Sequence, residues 1–335
     1  MARPTPPRLW TNRRRKWMRS LPQALETAGR RPETPAGVRP TQRKRTRLRS
    51  PMARMGMLFV IPAALYVVVF QFIPVAYGLV LSFSDYSPLD RGGPEFIGWD
   101  NYASIFTDAS FARAMGITGR YVLQVLPFTV AIALGLALLS NRVFRGVGLF
   151  RTGLYVPHVV SLTAVSMVWL WIYSDSGLVN QVLDFLGLAP QRWLTTQDAA
   201  LNAVSAMRIW KALGSNMVLL LAGLQTVPKD LYEAARMDGA NAWQQFRAVT
   251  LPGLRPMLTY VVAMDIIFLA QGFPEIFVLT QGGPYGSTTT VNYLIYTEAF
   301  QYNQMGSASA MAFVLFAFIA AFTIVAIRVG QGRRS

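Results

Sequence analysis

The sequence predicts an all-α integral membrane protein with six transmembrane helices. Apolar residues make up 53% of the 335-residue chain and charged residues only 14%, against about a quarter charged in an ordinary soluble domain. Six apolar stretches, near residues 56–83, 121–140, 153–173, 203–224, 257–280 and 306–327, are each long enough to cross ~30 Å of hydrocarbon at ~1.5 Å per residue. Runs such as MAFVLFAFIAAFTIVAI (311–327) are continuously apolar, whereas the strands of a membrane β-barrel alternate in polarity. Helices are therefore expected throughout.

Charge divides the chain into a tail and a membrane domain. Residues 1–55 hold 16 of the 32 lysines and arginines against only Glu26 and Glu33. This segment is rich in Arg, Pro and Thr, lacks a helical or strand period, and reads as a disordered, basic cytoplasmic tail. Its RRRK (13–16) and RKRTRLR (43–49) clusters suit a nucleic-acid arm, but a juxtamembrane segment meeting anionic lipid explains them without a further assumption. No nucleic-acid partner is expected. The membrane domain follows over 56–328, with 329–335 a short cytoplasmic C-terminus. The first apolar stretch begins after fifty-odd residues and exceeds the apolar region of a signal peptide, so it is expected to stay in the membrane.

Orientation comes from the connections. Residues 141–152 carry Arg142, Arg145 and Arg151; residues 225–256 carry Lys229, Arg236, Arg247 and Arg255; the C-terminus carries Arg328, Arg333 and Arg334. The intervening connections hold Arg91, Arg113 and Arg120, then Arg192, then none. The excess of positive charge marks the cytoplasmic side. Both termini are thus expected inside, and 84–120, 174–202 and 281–305 outside.

Several chemistries are excluded. The chain has no cysteine and a single histidine, His158, which removes disulfides, cysteine nucleophiles and multi-histidine metal sites. Its lysines are Lys16, Lys44, Lys211 and Lys229, none preceded by glycine, so it has no phosphate-cradling Gly-Lys loop. A G-x-S-x-G nucleophile elbow is missing too. No catalytic residue or metal site is expected, and His158 reads as a structural histidine bonded to a neighbouring helix.

The longest internal polar connection is LYEAARMDGANAWQQFRAVTLPGLRP (231–256). Asp230 with Glu233 has the form of a capping box that starts a short helix over 231–238, and Gly239 suits a left-handed C-cap. A second short helix fits 241–249, with Pro252 and Pro256 expected to end it before the fifth span. Ala234 and Ala235 leave one face of the first helix free of bulk. That face suits either docking of another surface or, with Leu231, Trp243 and Phe246, a linker lying on the membrane.

Glu233-Ala234-Ala235, then three residues, Gly239, nine residues and Val249-Thr250-Leu251-Pro252 resembles the EAA loop of membrane subunits of binding-protein-dependent ABC importers, with Val249 where Ile is commoner. FIGWDNY (96–102), VLTQGGP (278–284) and GSASA (306–310) are similar to the carbohydrate-uptake branch that holds the maltose and glycerol-phosphate permeases; the resemblance spans roughly residues 55–328 and leaves out the tail. It implies a permease subunit in a bacterial or archaeal plasma (inner) membrane. The implied partners are a second permease in a heterodimer, two ATPase subunits that hold ATP and Mg, and an external substrate-binding protein. It also assigns Asp230, Glu233, Ala234, Ala235, Asp238, Gly239, Leu251 and Pro252 to coupling with the ATPase.

A substrate path is expected where ionisable groups enter the spans, because such groups face a bundle interior or one another. These are Arg208 and Lys211 in the fourth span and Asp265 and Glu275 in the fifth. Arg208 and Glu275 each lie about five residues, or ~7–8 Å, from the outer end and are placed to pair. Gly272 and Pro274 interrupt the fifth span, and a broken helix is tolerated at that depth only where it lines protein or a watery cavity. Gln271, Gly272 and Glu275 are thus candidates for binding hydroxyls, and Trp210 for stacking on a pyranose ring. The resemblance adds Arg208, Lys211, Ala212 and Ser215, with Gln271, as sugar-site positions. Arg208 and Lys211 stand where that family has uncharged residues, so they bind an acceptor-rich substrate or neutralise Glu275. A different reading takes Asp265, Glu275 and His158 as the proton relay of an ion-gradient-driven transporter.

Overall fold

A computed structural model describes residues 51–142 and 144–331; most of the basic tail and the last four residues lie outside the described range. The chain divides at Tyr66–Val67. Of the first unit, residues 51–66 are described, all within helix α1 (Pro51–Val67). A π turn (Val68–Phe72) and α2 (Ile73–Ser82) follow.

The second unit is almost entirely helical. A two-stranded antiparallel hairpin, β1 (Ser84–Asp85) and β2 (Glu95–Phe96), pairs Ser84 with Phe96 and Asp85 with Glu95. Then come α3 (Asp100–Thr107), α4 (Ala109–Ser140), α5 (Val147–Val159), α6 (Leu162–Ile172), α7 (Leu178–Phe185) and α8 (Gln197–Gln225). They are followed by α9 (Lys229–Met237), α10 (Ala242–Gln245), a π turn (Phe246–Thr250), α11 (Leu251–Ala270), α12 (Pro274–Leu279), α13 (Val291–Tyr296), a third π turn (Thr297–Gln301) and α14 (Met305–Gln331).

Among the described residues four helices are long and apolar enough to cross a membrane: Met57–Ser82, Ala109–Ser140, Ala242–Ala270 and Met305–Gly330. The α5–α6 pair makes a fifth if its two limbs count as one crossing. The 29-residue α8 has the length, but Asp198, Arg208 and Lys211 lower its hydropathy. The expected third span is not a straight rod, because α5 and α6 meet at 99°. Pro157 removes a backbone donor near the end of α5, Val160 is extended (ψ 141°), and the Ser161 hydroxyl accepts from the Ala164 amide (3.2 Å) to start α6.

The core sits between α4 and α8. On α4, Phe111, Ala114, Thr118, Tyr121, Val125, Thr129, Ala133, Ala137 and Ser140 are buried, a spacing of three or four that keeps one stripe on one helix face. Towards one end Ala133 and Ala137 pack with Met217, Leu220, Leu221 and Leu224 of α8 and with Leu254 and Val261 of α11. The alanines let the helix axes approach closely, as membrane helix pairs require. Gly214 does the same for α5 on α8: a Cβ there would lie 2.0 Å from the Leu154 carbonyl oxygen.

Candidate functional site

Two regions hold the residues singled out by the sequence. The first is the polar connection between α8 and α11. α9 begins after Pro228 with no side-chain cap, so the expected Asp230–Glu233 capping box does not form. Asp230 sits inside the first turn instead, where its charge still favours the helix N-terminus. The capping box belongs to the next helix: Asn241 Oδ1 accepts from the Gln244 amide (2.9 Å) and Gln244 Oε1 from the Asn241 amide (2.7 Å).

Gly239 closes α9 as expected, with φ +80°. The Ala240 amide donates to Ala235 O (2.9 Å) and the Gly239 amide to Arg236 O (3.1 Å), the two bonds of a Schellman motif. Pro252 and Pro256 do not end the second helix: Ala242–Ala270 runs through both as one 29-residue helix. The π turn at Phe246–Thr250 lies directly before Pro252, and its wider loop of backbone relieves the clash of the proline ring with the preceding turn. Tyr232 Oη and Thr250 Oγ1, 3.0 Å apart, tie α9 to that turn. Asp230, Glu233, Ala234, Asp238, Gly239, Leu251 and Pro252 are exposed, Ala235 is half-buried, and Leu231, Met237 and Trp243 add exposed apolar surface.

The second region lies where α11 stops. The helix ends at Ala270, Gln271 to Phe273 break it, and α12 restarts at Pro274. Glu275 is wholly buried, and its Oε1 accepts a hydrogen bond from Tyr121 Oη of α4 at 2.8 Å. Arg208 Nε of α8 lies 3.8 Å from the same oxygen, which is the ion pair the sequence places at this depth. The contact is loose: among the described residues neither Arg208 Nε nor Glu275 Oε2 has a hydrogen-bond partner, although both are buried. Gly272 is required here, since a Cβ would fall 2.9 Å from Glu275 Oε1 and 3.1 Å from Leu269 O.

Lys211 takes a different role from its neighbour. It is 6% exposed, and its Nζ donates to the carbonyls of Val160 (2.7 Å), Pro157 (3.0 Å) and His158 (3.5 Å) at the α5–α6 bend. Those carbonyls sit at the end of a helix that does not continue, where the last four C=O groups have no partner of their own. Trp210 is 41% exposed, its ring 5.5 Å from that of Trp169 on α6. Ser215 spends its hydroxyl on Ala212 O (3.0 Å) of its own helix. The Gln271 carbonyl accepts from Asn292 Nδ2 (3.0 Å), while its side chain is exposed. Asp265 is held by Asn216 Nδ2 of α8 at 2.6 Å, and His158 packs its ring 5.5 Å from Tyr155.

Sequence reasoning missed Tyr121, Trp169 and Asn216 as members of this region. Tyr121 is 154 positions from Glu275 and sits in an apolar run, so nothing local marks it; Asn216 is one polar residue within a span and carried a faint signal.

The chain thus sets an arginine–glutamate pair at a break between two helices and an exposed, self-capped helix pair on the connection before them. Residues 121–334 match the family model described as "Binding-protein-dependent transport system inner membrane component". The chain belongs to that family. The permease is 33% identical over 286 residues to the trehalose/maltose transport system permease protein MalF of Thermococcus litoralis, covering 84% of this chain and 95% of that one. It is 34% identical over 277 residues to the sulfoquinovosyl glycerol transport system permease protein SmoG of Agrobacterium fabrum, covering 82% and 90%. Its fold matches the solved structure of a bacterial ABC transporter involved in alginate import with a TM-score of 0.73, at 24% identity and over 85% of this chain and 98% of that chain. The chain is therefore a multi-pass membrane transport component rather than an enzyme.

Proposed function

We propose that this permease is one half of the membrane path of an ATP-driven importer for a sugar or sugar derivative. It crosses the membrane six times, α8 and the bent α5–α6 pair included, with both termini cytoplasmic in a bacterial or archaeal plasma membrane. A second permease completes the path, two ATPase subunits supply ATP and Mg chemistry from the cytoplasm, and an external binding protein delivers the solute. The observation that carries the reading is the α9–α10 connection. Its backbone is satisfied by a Schellman motif and a capping box of its own, so it keeps its shape while presenting Glu233, Ala234 and Gly239 outward. A preformed, exposed helix is what a partner needs in order to push on the membrane helices, and α10 continues directly into the long helix that ends at the charged break.

The sugar assignment rests on the named relatives and on the break itself, where Gln271, Arg208 and the Trp169–Trp210 pair offer hydrogen bonds and an aromatic face beside a discontinuous helix. Ala212 and Ser215 follow on the same helix as small residues of the path wall. The ion-gradient alternative is less well supported: Asp265, Glu275 and His158 each have separate partners, and no hydrogen bond among the described residues joins them into a relay.

Purification in mild detergent, with identification of the chains that accompany the permease, tests the reading. An ATPase subunit that remains with the wild type and is lost from the Glu233→Ala/Gly239→Ala variant supports coupling through α9. Uptake that survives ATP depletion and collapses with the proton gradient overturns it.

A further inference from the structure

Lysine and arginine on this chain repeatedly close the C-terminal ends of helices. Arg151 Nη2 donates to Ser140 O (2.6 Å) at the end of α4, and Arg255 Nη2 donates to Val329 O (3.2 Å) near the end of α14. Arg151 lies near the start of α5 and Arg255 near the start of α11, next to connections read as cytoplasmic, where a basic residue is ordinary. Lys211 does the same for α5, but from the middle of α8 and while nearly buried.

The placement has mechanical consequences. In a membrane an unsatisfied backbone carbonyl costs several-fold more than at a wet surface, because no solvent replaces the lost partner. Three carbonyls at the bend share one ammonium, and the positive charge also complements the negative end of the α5 dipole. Sliding α8 along the bend would expose all three carbonyls and the ammonium together. Gly214, one turn further along α8, presses backbone against the Leu154 carbonyl and removes any slack between the same two helices. The charged groups around the clasp do not replace it: Arg208 faces Glu275, and Glu275 is held by Tyr121.

We infer that Lys211 is a positioning residue for transport: it clamps the α5–α6 bend to α8, so that bend and helix move as one body when the path changes access. α8 leads into the α9–α10 connection and carries Arg208, so the clamp links the connection, the charged break and the bend. This inference rests on the importer reading above.

The test uses the permease assembled with its partner permease and ATPase in nanodiscs of phosphatidylethanolamine and phosphatidylglycerol. The chain has no cysteine, so spin labels on Leu149→Cys of α5 and Val218→Cys of α8, both exposed on the permease, report their separation without background from this subunit. In the Lys211 wild type the separation changes by less than about 2 Å, the size of an ordinary helix adjustment, between nucleotide-free and ATP–vanadate states. In Lys211→Met the separation broadens and becomes state-dependent, an effect that simple destabilisation does not produce in the fraction that remains assembled. A wild-type separation that itself shifts by one helical turn overturns the inference, whether or not the Met variant folds, and so does a Met variant indistinguishable from wild type. Neither outcome touches the importer reading, which is tested separately by the co-purifying ATPase and by the energy source of uptake.

Discussion

The charged break and the polar connection solve the same problem, free polar groups beside a helix end, in opposite ways. At the break, Glu275, Arg208 and Lys211 find their partners on other helices: Tyr121 of α4 with Glu275, and the α5–α6 bend with Lys211. In the connection, the partners lie within a few residues: Ala235 with Ala240, and Asn241 with Gln244. A group that depends on distant partners holds the bundle together and suffers when one partner is removed. A segment that satisfies itself is rigid without help and leaves its side chains free for another protein.

The largest effect is expected at the break. Glu275→Gln leaves Arg208 without its counter-charge and should destabilise the folded permease by about 3 kcal/mol, the cost of stranding one member of a buried pair. The loss is read as a lower unfolding temperature in detergent. Adding Arg208→Gln to the same chain should restore most of it, and a double variant no better than the single one breaks the account of the pair.

In the connection the expected balance is reversed. Gly239→Ala meets no atom within 4 Å but must hold φ +80°, so its cost is conformational and about 1 kcal/mol. Stability should fall slightly while ATP-driven uptake falls far more. Equal fractional losses of stability and uptake would show that the connection is only structural.

The smallest effect probes the π turn between α13 and α14. Burial first, and the charge of Asp108 second, push the Glu298 carboxyl above its ordinary range. The folded state therefore holds this proton more tightly than the unfolded chain, so the stability it lends is fully present below the unfolded value of about 4.3 and is lost as pH rises through the higher folded value. Glu298→Gln should raise the unfolding temperature slightly at pH 7, with the gain vanishing near pH 4. An unchanged difference across that range removes Glu298 as the cause.

Much of this was legible in the sequence because it is local. Apolar runs long enough for a membrane fix where helices lie, the spacing Glu233-Ala234-Ala235 to Gly239 marks the connection, and Gly272 with Pro274 marks the break. Arg208 and Glu275 were placed together by depth alone, since two charges at the same level of a bundle gain by meeting. The errors have a shared origin. Pro252 and Pro256 were read as stops because a proline forbids the regular turn, but a π turn just before Pro252 supplies an irregular one. The bend in the third span left no mark in the sequence, because hydropathy measures length and not direction.

The sequence by itself determined that this chain is a helical membrane protein, which segments are apolar, and where a glycine must end α9; these follow from side-chain chemistry within a few neighbours. Only the tertiary structure decided that Lys211 serves the carbonyls of a helix fifty-odd residues away while Arg208, three residues earlier, faces Glu275. Both are cations on one stretch of helix, and the sequence gives them equivalent chemistry. What separates them is which helix ends pack against each side of α8, and that is settled by the fit of Gly214 on α5 and of Tyr121 on Glu275.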